Sequence, residues 1–514
     1  MKQPVDPRPI RARLRARLLA CTALAALLAG CAVGPNFLTP EGPEETSYLT
    51  GRGPNGANGD TVAGRKIEHG ADISAEWWEA FRSRKLSDLI RDGLTHNADV
   101  GAAEAALRVA QANALAQRGA LFPVVGAGFD ANRQQISNIV SSNVASNAEL
   151  YSLHTAQVTV AFVPDIWGGT RRQIESADAI AEMQFFQREG TYLTLSSNIA
   201  LAAVEEARLL GQIAVLRRSI ELQSQLLGIL KKQNDEGQIA MTDVVAQESA
   251  VAQAKLLLVP VEKQFAQQHN LIAQLTGRLP SAVPVAHFQL SSFTLPRKLP
   301  LSLPADLVRQ RPDIRAAEAS LRSANAQIGV AIANRLPQIT LTGNAGSTAA
   351  SLSQLFSPGT GMWMIAGSLA QTVFDAGTLQ NRQVAAEAAA AQSVEQYRGV
   401  VLAAFRNVAD VLRALQADAR AIDAATAAER SSSRYIELVR KQVELGQVNI
   451  ATLITAQQAY LQSSLARVDA QASRLSDTVA LFQALGGGWW NRIDPLSGEV
   501  LADSPVQQAS SRSK

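Results

Sequence analysis

The chain has 514 residues, with 48 Lys+Arg against 45 Asp+Glu, and 47% of its residues are hydrophobic. That length allows roughly two to four domains around a sizeable core, and a charged share of only 18% excludes a disordered chain or a polybasic nucleic-acid binder. The small positive balance belongs to residues 1–30, which hold six cations and one acid, so the remainder carries 42 cations against 44 acids.

Residues 1–30 read as an export signal. Five arginines between Arg8 and Arg17 precede an uncharged apolar run from Leu18 to Leu28. A basic segment followed by about 7–15 apolar residues is a secretory signal, too short to span a bilayer. The run ends in Leu28-Ala29-Gly30-Cys31, which resembles the bacterial lipoprotein cleavage box, with Cys31 as the thiol that receives the lipid. Leu18-Leu19-Ala20-Cys21 has the same form but leaves almost no apolar run after Arg17, so it is set aside. Cleavage removes Cys21 and acylation occupies Cys31, so no disulfide is expected, although the compartment would allow one. Several acyl chains, at about 0.8 kcal/mol per buried CH2, anchor a protein firmly. Ala32 follows the cysteine, and by the lipoprotein sorting rule the absence of Asp there implies the outer membrane.

The rest of the chain is a duplicated unit. Asp99–Ala112 aligns with Asp313–Ala326, with nine of fourteen positions identical at an offset of 214. Phe122-Pro123 then meets Leu336-Pro337, Arg172-Gln173 meets Arg382-Gln383, and Gly237-Gln238 meets Gly446-Gln447, while the offset drifts to 209. Four matches in one order indicate two structural repeats. The expected layout is a signal peptide (1–30), a lipid-anchored N-terminal segment (31–85), a first repeat (86–280), a connector (281–304), a second repeat (305–487) and a tail (488–514). Residues 37–70 look like an extended tie between lipid and body.

Each repeat predicts the same elements in order. Leu86, Leu89, Ile90 and Leu94 have helical spacing, in a helix running to about Arg118. A Pro-bounded change of period follows. Thr155–Phe162 and Gln338–Ala345 alternate polar and apolar residues as strands do, and Val124–Asp130 and Met362–Phe374 are weaker examples. Each repeat thus supplies two strands close to the roughly 9–11 residues that cross an outer membrane. Ser/Asn-rich loops such as Ser137–Asn147 separate the strands. Next come proline-free helical patterns, Arg171–Asp235 and Thr378–Glu444, each about 100 Å long at 1.5 Å per residue. Helices of that length need lateral partners. In the first repeat Leu86–Arg118 and Thr242–Thr276, placed end to end, match the long helix; in the second, Ala305–Asn334 and Ala451–Leu485 do. Ala-rich faces allow close, coiled-coil-like approach.

Four strands with bare edges cannot rest in lipid, where each unpaired backbone group costs several kcal/mol. Two chains would close an eight-stranded barrel filled by its own side chains, whereas three would close twelve strands around a lumen. The expected fold is therefore mainly α with a transmembrane β part. A homotrimeric twelve-stranded β-barrel, four strands per chain, continues as a long α-helical barrel in the periplasm. The alternative for the strands is a small soluble sheet beside a helical bundle.

The residues then carry a family resemblance. Cys31-Ala32-Val33-Gly34-Pro35-Asn36-Phe37 resembles the mature start of outer-membrane efflux lipoproteins, and Trp77-Trp78 followed by Leu86 and Leu89 resembles their first-helix entry. Asp306–Arg315 and Ile328-Gly329-Val330-Ala331 are similar to the opening of their second repeat. Asp165-Ile166-Trp167-Gly168-Gly169 and Phe374-Asp375-Ala376-Gly377 look like their strand-to-long-helix joints. The match covers nearly all of the mature chain and points to the NodT-type branch of the TolC-like outer membrane factors. The resemblance implies a trimeric exit duct for small molecules and drugs. It would dock through a periplasmic adaptor onto an inner-membrane pump, commonly of the resistance-nodulation-division class. The energy would come from the pump. No nucleic-acid partner and no cofactor beyond the lipid on Cys31 is implied.

The long helices reverse at Gly237-Gln238-Ile239-Ala240-Met241-Thr242-Asp243 and at Gly446-Gln447-Val448-Asn449-Ile450-Ala451-Thr452. Glycine is expected as the C-cap of each long helix, with Thr242 or Asp243 beginning the return helix. On the family pattern these tips, including Gly237, Gln238, Ala240, Met241, Thr242, Gly446, Gln447, Asn449 and Ile450, form the pore mouth and the adaptor contact. In TolC-like channels acids just after the second tip form a constricting ring. Here the matching Thr452 and Thr455 are neutral, which leaves Asp243 after the first tip as the acidic gate candidate.

Nothing in the sequence nominates a catalytic or metal site. The five histidines, His69, His96, His154, His269 and His287, lie far apart with no metal-ligand spacing. Gly486-Gly487-Gly488 lacks a P-loop continuation. The readings left are an efflux duct, a type I-like protein secretion duct, a non-conducting lipid-anchored scaffold and a periplasmic hydrolase.

Overall fold

The structure, a computed structural model, describes residues 32–41, 48, 61–62, 65–137, 139, 148–282, 287–302 and 304–492. The signal segment, Cys31, most of Ser137–Asn147 and residues 493–514 lie outside the described residues.

The first strands among the described residues are two short ones, β1 (Thr61–Val62) and β2 (Arg65–His69), within the segment expected to be an extended tie. The first repeat follows as α1 (Arg84–His96), α2 (Ala98–Gly119), β3 (Val124–Gln135), β4 (Leu150–Phe162), α3 (Gly169–Asp235) and α4 (Met241–Leu275). After the connector strand β5 (Lys298–Leu301) the order returns as α5 (Pro304–Gln310), α6 (Pro312–Ala333), β6 (Gln338–Ala349), β7 (Gly361–Ala370), α7 (Thr378–Glu444) and α8 (Ile450–Ala484). Helices α3 and α7 are each 67 residues long.

The single helix expected over Leu86–Arg118 is two, and so is its counterpart in the second repeat. Asn97 interrupts the first: its Oδ1 accepts the backbone N–H of Asp99 at 2.8 Å, starting α2 as an N-cap. Its Nδ2 donates to the carbonyl oxygen of Leu275 at the end of α4, at 3.0 Å. The position equivalent to Asn97 is Arg311, before Pro312, and its Nη1 donates to the carbonyl oxygen of Ala484 at the end of α8, at 2.8 Å. Both return helices therefore end on the break that opens the next short helix. The junctions need glycine. A Cβ on Gly277, at φ +66, would stand 2.2 Å from the carbonyl oxygen of His96, and one on Gly486, at φ +94, would stand 2.9 Å from that of Gln310.

The chain divides into two compact units, and both draw on both repeats. One comprises residues 1–39, 108–183 and 318–396. It contains a four-stranded antiparallel sheet of order β3-β4-β6-β7 and the adjoining parts of α2, α3, α6 and α7.

The other comprises residues 40–107, 184–317 and 397–514. It contains the main core and a three-stranded sheet of order β1-β2-β5. Trp77, Trp78 and Phe81 are buried there, and Trp77 stacks on Phe482 with ring centroids 5.4 Å apart. Leu86 and Ile90 of α1 join Ile199 and Val204 of α3 and Val408 and Leu412 of α7 in the same cluster. Glu189 has no exposed surface and is held by Arg188 at 2.7 Å and Arg492 at 2.6 Å, which offsets the cost of burying its charge.

Candidate functional site

Strands β3, β4, β6 and β7 are 12, 13, 12 and 10 residues long, enough to cross an outer membrane. Residues directly opposite one another share a face, so the register sorts the side chains. One face carries the rows Val125, Val160, Gly343, Ile365 and Ala127, Val158, Ala345, Trp363. Leu341 and Leu369 lie on that face as well, and Phe129 stands beyond Ala127 along β3. The opposite face carries Thr159 with Asn344, Gln157 with Gly346, Thr155 with Thr348, and Asp130, interrupted by Met362 and Met364 of β7. The apolar side chains are exposed, Trp363 to 76% and Ile365 to 82%. Strands β3 and β7 have a neighbour on one side only. An apolar face and two edges that meet no protein among the described residues are unstable in water.

The joints from strand to long helix are alike in the two repeats. The carboxylate of Asp165 accepts the backbone N–H groups of Thr170 and Arg171, both at 3.0 Å, at the start of α3. The carboxylate of Asp375 accepts those of Gly377 at 2.9 Å and Leu379 at 2.7 Å at the start of α7. These backbone donors, Leu379 foremost, hold the Asp375 carboxyl below the usual carboxylate range.

Both reversals close as glycine C-caps. Gly237 has φ +73 and Gly446 φ +68. Gln238 N–H reaches the carbonyl oxygen of Gln233 and Gln447 N–H that of Gln442, each at 2.8 Å. The return helices start differently from expectation. Neither Thr242 nor Asp243 caps α4; Ala240 occupies the N-cap without a side-chain bond, and Asp243 lies in the first turn. In the second repeat Asn449 caps α8 by accepting from Thr452 N at 3.1 Å, and the Thr452 hydroxyl donates to the same Asn449 oxygen. The Thr455 hydroxyl is bonded to the carbonyl oxygen of Ala451. The two tips share one core. Leu230 of α3, Val244 of α4 and Ile450 of α8 are buried together, so Ile450, expected at the tip surface, lies in the tip's interior within the chain. Gly237, Gln238, Ala240, Met241, Thr242, Gly446, Gln447 and Asn449 are exposed around it, as is Leu445.

Two of the histidines do not stay apart. His269 and His287 converge with Glu206, contrary to the expectation of no metal-ligand set. Sequence spacing carries no sign of this, because the three residues belong to separate segments.

The model of a protein family described as "Outer membrane efflux protein" matches residues 89–278 and 303–487. The chain is 30% identical over 417 residues to the pyoverdine export outer membrane protein OpmQ of Pseudomonas putida, covering 80% of this chain and 88% of that protein. It is 27% identical over 489 residues to the probable efflux pump outer membrane protein TtgC of Pseudomonas putida, covering 95% and 99%. Among solved structures, the outer-membrane channel OprN aligns with a TM-score of 0.80 at 25% identity over 89% of this chain and 100% of that one. The Campylobacter jejuni CmeC outer membrane channel aligns with a TM-score of 0.81 at 19% identity, over 94% and 98%.

Proposed function

This chain belongs to the outer membrane efflux protein family, and from that premise we propose that three copies form the exit duct of a tripartite efflux system. The observation that carries the reading is the two-faced sheet with bare edges. Three copies pair β7 of one with β3 of the next and close twelve strands, apolar face to lipid and polar face to a water-filled lumen. The exposed apolar side of α4, with Leu256, Leu257 and Val259, supports a second seam between copies in the helical wall.

The lipid anchor fits the same arrangement. Val33 N–H donates to the carbonyl oxygen of Trp167 at 2.9 Å, at the β4-to-α3 joint. The described chain that follows the expected lipidation residue is thus held at this joint. Acyl labelling that persists in Cys31→Ala refutes this part.

The exposed tip residues dock a periplasmic adaptor, which joins the duct to an inner-membrane pump, of the resistance-nodulation-division class. The duct itself catalyses nothing. It conducts small molecules that the pump selects, as the export and efflux names of its relatives suggest. Asp243, rather than Thr452 or Thr455, is the remaining acidic candidate for a constriction at the mouth. The test is cross-linking of the purified protein and its conductance in planar bilayers. Defined single-channel steps are expected; a monomeric product without conductance overturns the duct in favour of a scaffold.

A further inference from the structure

Three segments bring one donor each to a single point in the second unit. Glu206 lies in α3, His269 in α4 and His287 in the connector. Oε1 of Glu206 stands 3.3 Å from Nδ1 of His287 and 3.8 Å from Nδ1 of His269. The donor atoms of all three lie within 4.8 Å of one another. Oε2 of Glu206 accepts the backbone N–H of Phe288 at 3.1 Å, which fixes the carboxylate with its other oxygen toward the imidazoles. The ring of His287 rests against Phe265, with centroids 4.9 Å apart.

The carboxylate has imidazole and peptide N–H partners but no fixed cation. The Glu206 side chain is 2% exposed, and among the described residues no lysine or arginine pairs with it. A buried carboxylate needs a positive charge beside it. The imidazoles are 22% and 33% exposed, so the point where the three donors meet is reachable from solvent.

We infer that Glu206, His269 and His287 form a binding site for a divalent transition-metal ion of the zinc class. Two imidazoles and one carboxylate with a free coordination position are the donor set such ions take, whereas Mg2+ and Ca2+ require mostly oxygen. Metal–donor bonds of about 2.0–2.2 Å in tetrahedral geometry separate donors by roughly 3.3–3.5 Å. Glu206 and His287 already stand at that separation, and His269 completes the set by moving inward from 3.8 Å. A bound ion ties α3, α4 and the connector together at one point. The site does not depend on whether the chain conducts.

The test titrates the full mature chain, purified in detergent without a histidine tag, with Zn2+ by calorimetry. One saturable ion per chain is expected, with affinity at least tenfold weaker in His269→Gln, His287→Gln and Glu206→Gln. The last keeps an oxygen for the Phe288 N–H and so preserves the local fold. His96→Gln, whose ring bonds the Asp92 carbonyl instead, leaves the affinity unchanged. In the wild-type chain alone, Co2+ is expected to give the visible absorption of a tetrahedral site, and Zn2+ to raise the unfolding temperature reversibly with EDTA. Absence of saturable binding, unchanged affinity in both His269→Gln and His287→Gln, or displacement of zinc by equimolar Mg2+ overturns the site.

Discussion

Gly34 and Gly329 meet backbone to backbone: a Cβ on Gly34 would stand 2.5 Å from the Gly329 Cα. The N-terminal segment is locked over this contact. Arg172 donates to the carbonyl oxygens of Val33 and Gly34 and to the Asn36 side chain. The two motifs Val33-Gly34-Pro35 and Ile328-Gly329-Val330, remote in sequence, are halves of one interface. Gly329→Leu is expected to push the segment off α6 and cost about 1–3 kcal/mol, as overpacking does. Thermal unfolding and faster proteolysis near residue 34 measure it; an unchanged unfolding temperature contradicts it.

The sheet predicts opposite outcomes for the same charge on its two faces. Ile365→Arg places a cation on the apolar face and is expected to cost about 2–4 kcal/mol near mid-membrane, reducing insertion into the outer membrane. Asn344→Arg, on the polar face, should insert normally and shift conductance toward anions. Membrane fractionation and bilayer recordings of both variants check the assignment, and equal insertion defects would reverse it.

At the tips, interior and surface positions separate in the same way. Leu230→Ala is expected to destabilise the reversals by about 2–4 kcal/mol, since Leu230 is buried with Val244 and Ile450. Met241→Glu, on the exposed rim, should leave unfolding unchanged and weaken cross-linking to a co-expressed adaptor. Hydrogen exchange across residues 226–245 distinguishes the two effects.

Asp418 supplies a pH dependence. The residue is buried, at 9% exposure. Burial, reinforced by the neighbouring Asp477, pushes its carboxyl up to about 7, against the partial opposition of Arg474 and Arg65. Between about 4, the unfolded value, and about 7 the folded chain holds a proton that the unfolded chain lacks. Stability from this group therefore falls as pH rises through that window and levels off above it. Asp418→Asn is expected to gain on the wild type progressively from pH 4 to pH 7. Urea midpoints across that range test this, and a constant difference rules it out.

The parts legible in the sequence are those set by local pattern. The absence of proline and the sustained helical periodicity locate α7 at Thr378–Glu444, and alternation finds the centres of β4 and β6. Strand ends were less legible. Leu150–His154 belongs to β4 because it pairs with residues 131–135 of β3, and pairing requires no alternation of its own. The sheet β1-β2-β5 was hidden because Pro300 lies inside β5 and its partner β2 is remote in the chain. The break at Asn97 carries an N-cap residue type, but unbroken apolar periodicity on both sides masks it. Glu206, His269 and His287 share no spacing; only the packing of α3, α4 and the connector assembles them.

The bare margins of β3 and β7 bear on how the molecule is made. A newly exported copy presents about ten adhesive peptide groups along each margin and a greasy flank. Such margins are unfavourable alone in an aqueous compartment, so in the proposed trimer completion of the fold and meeting the sibling copies are a single event.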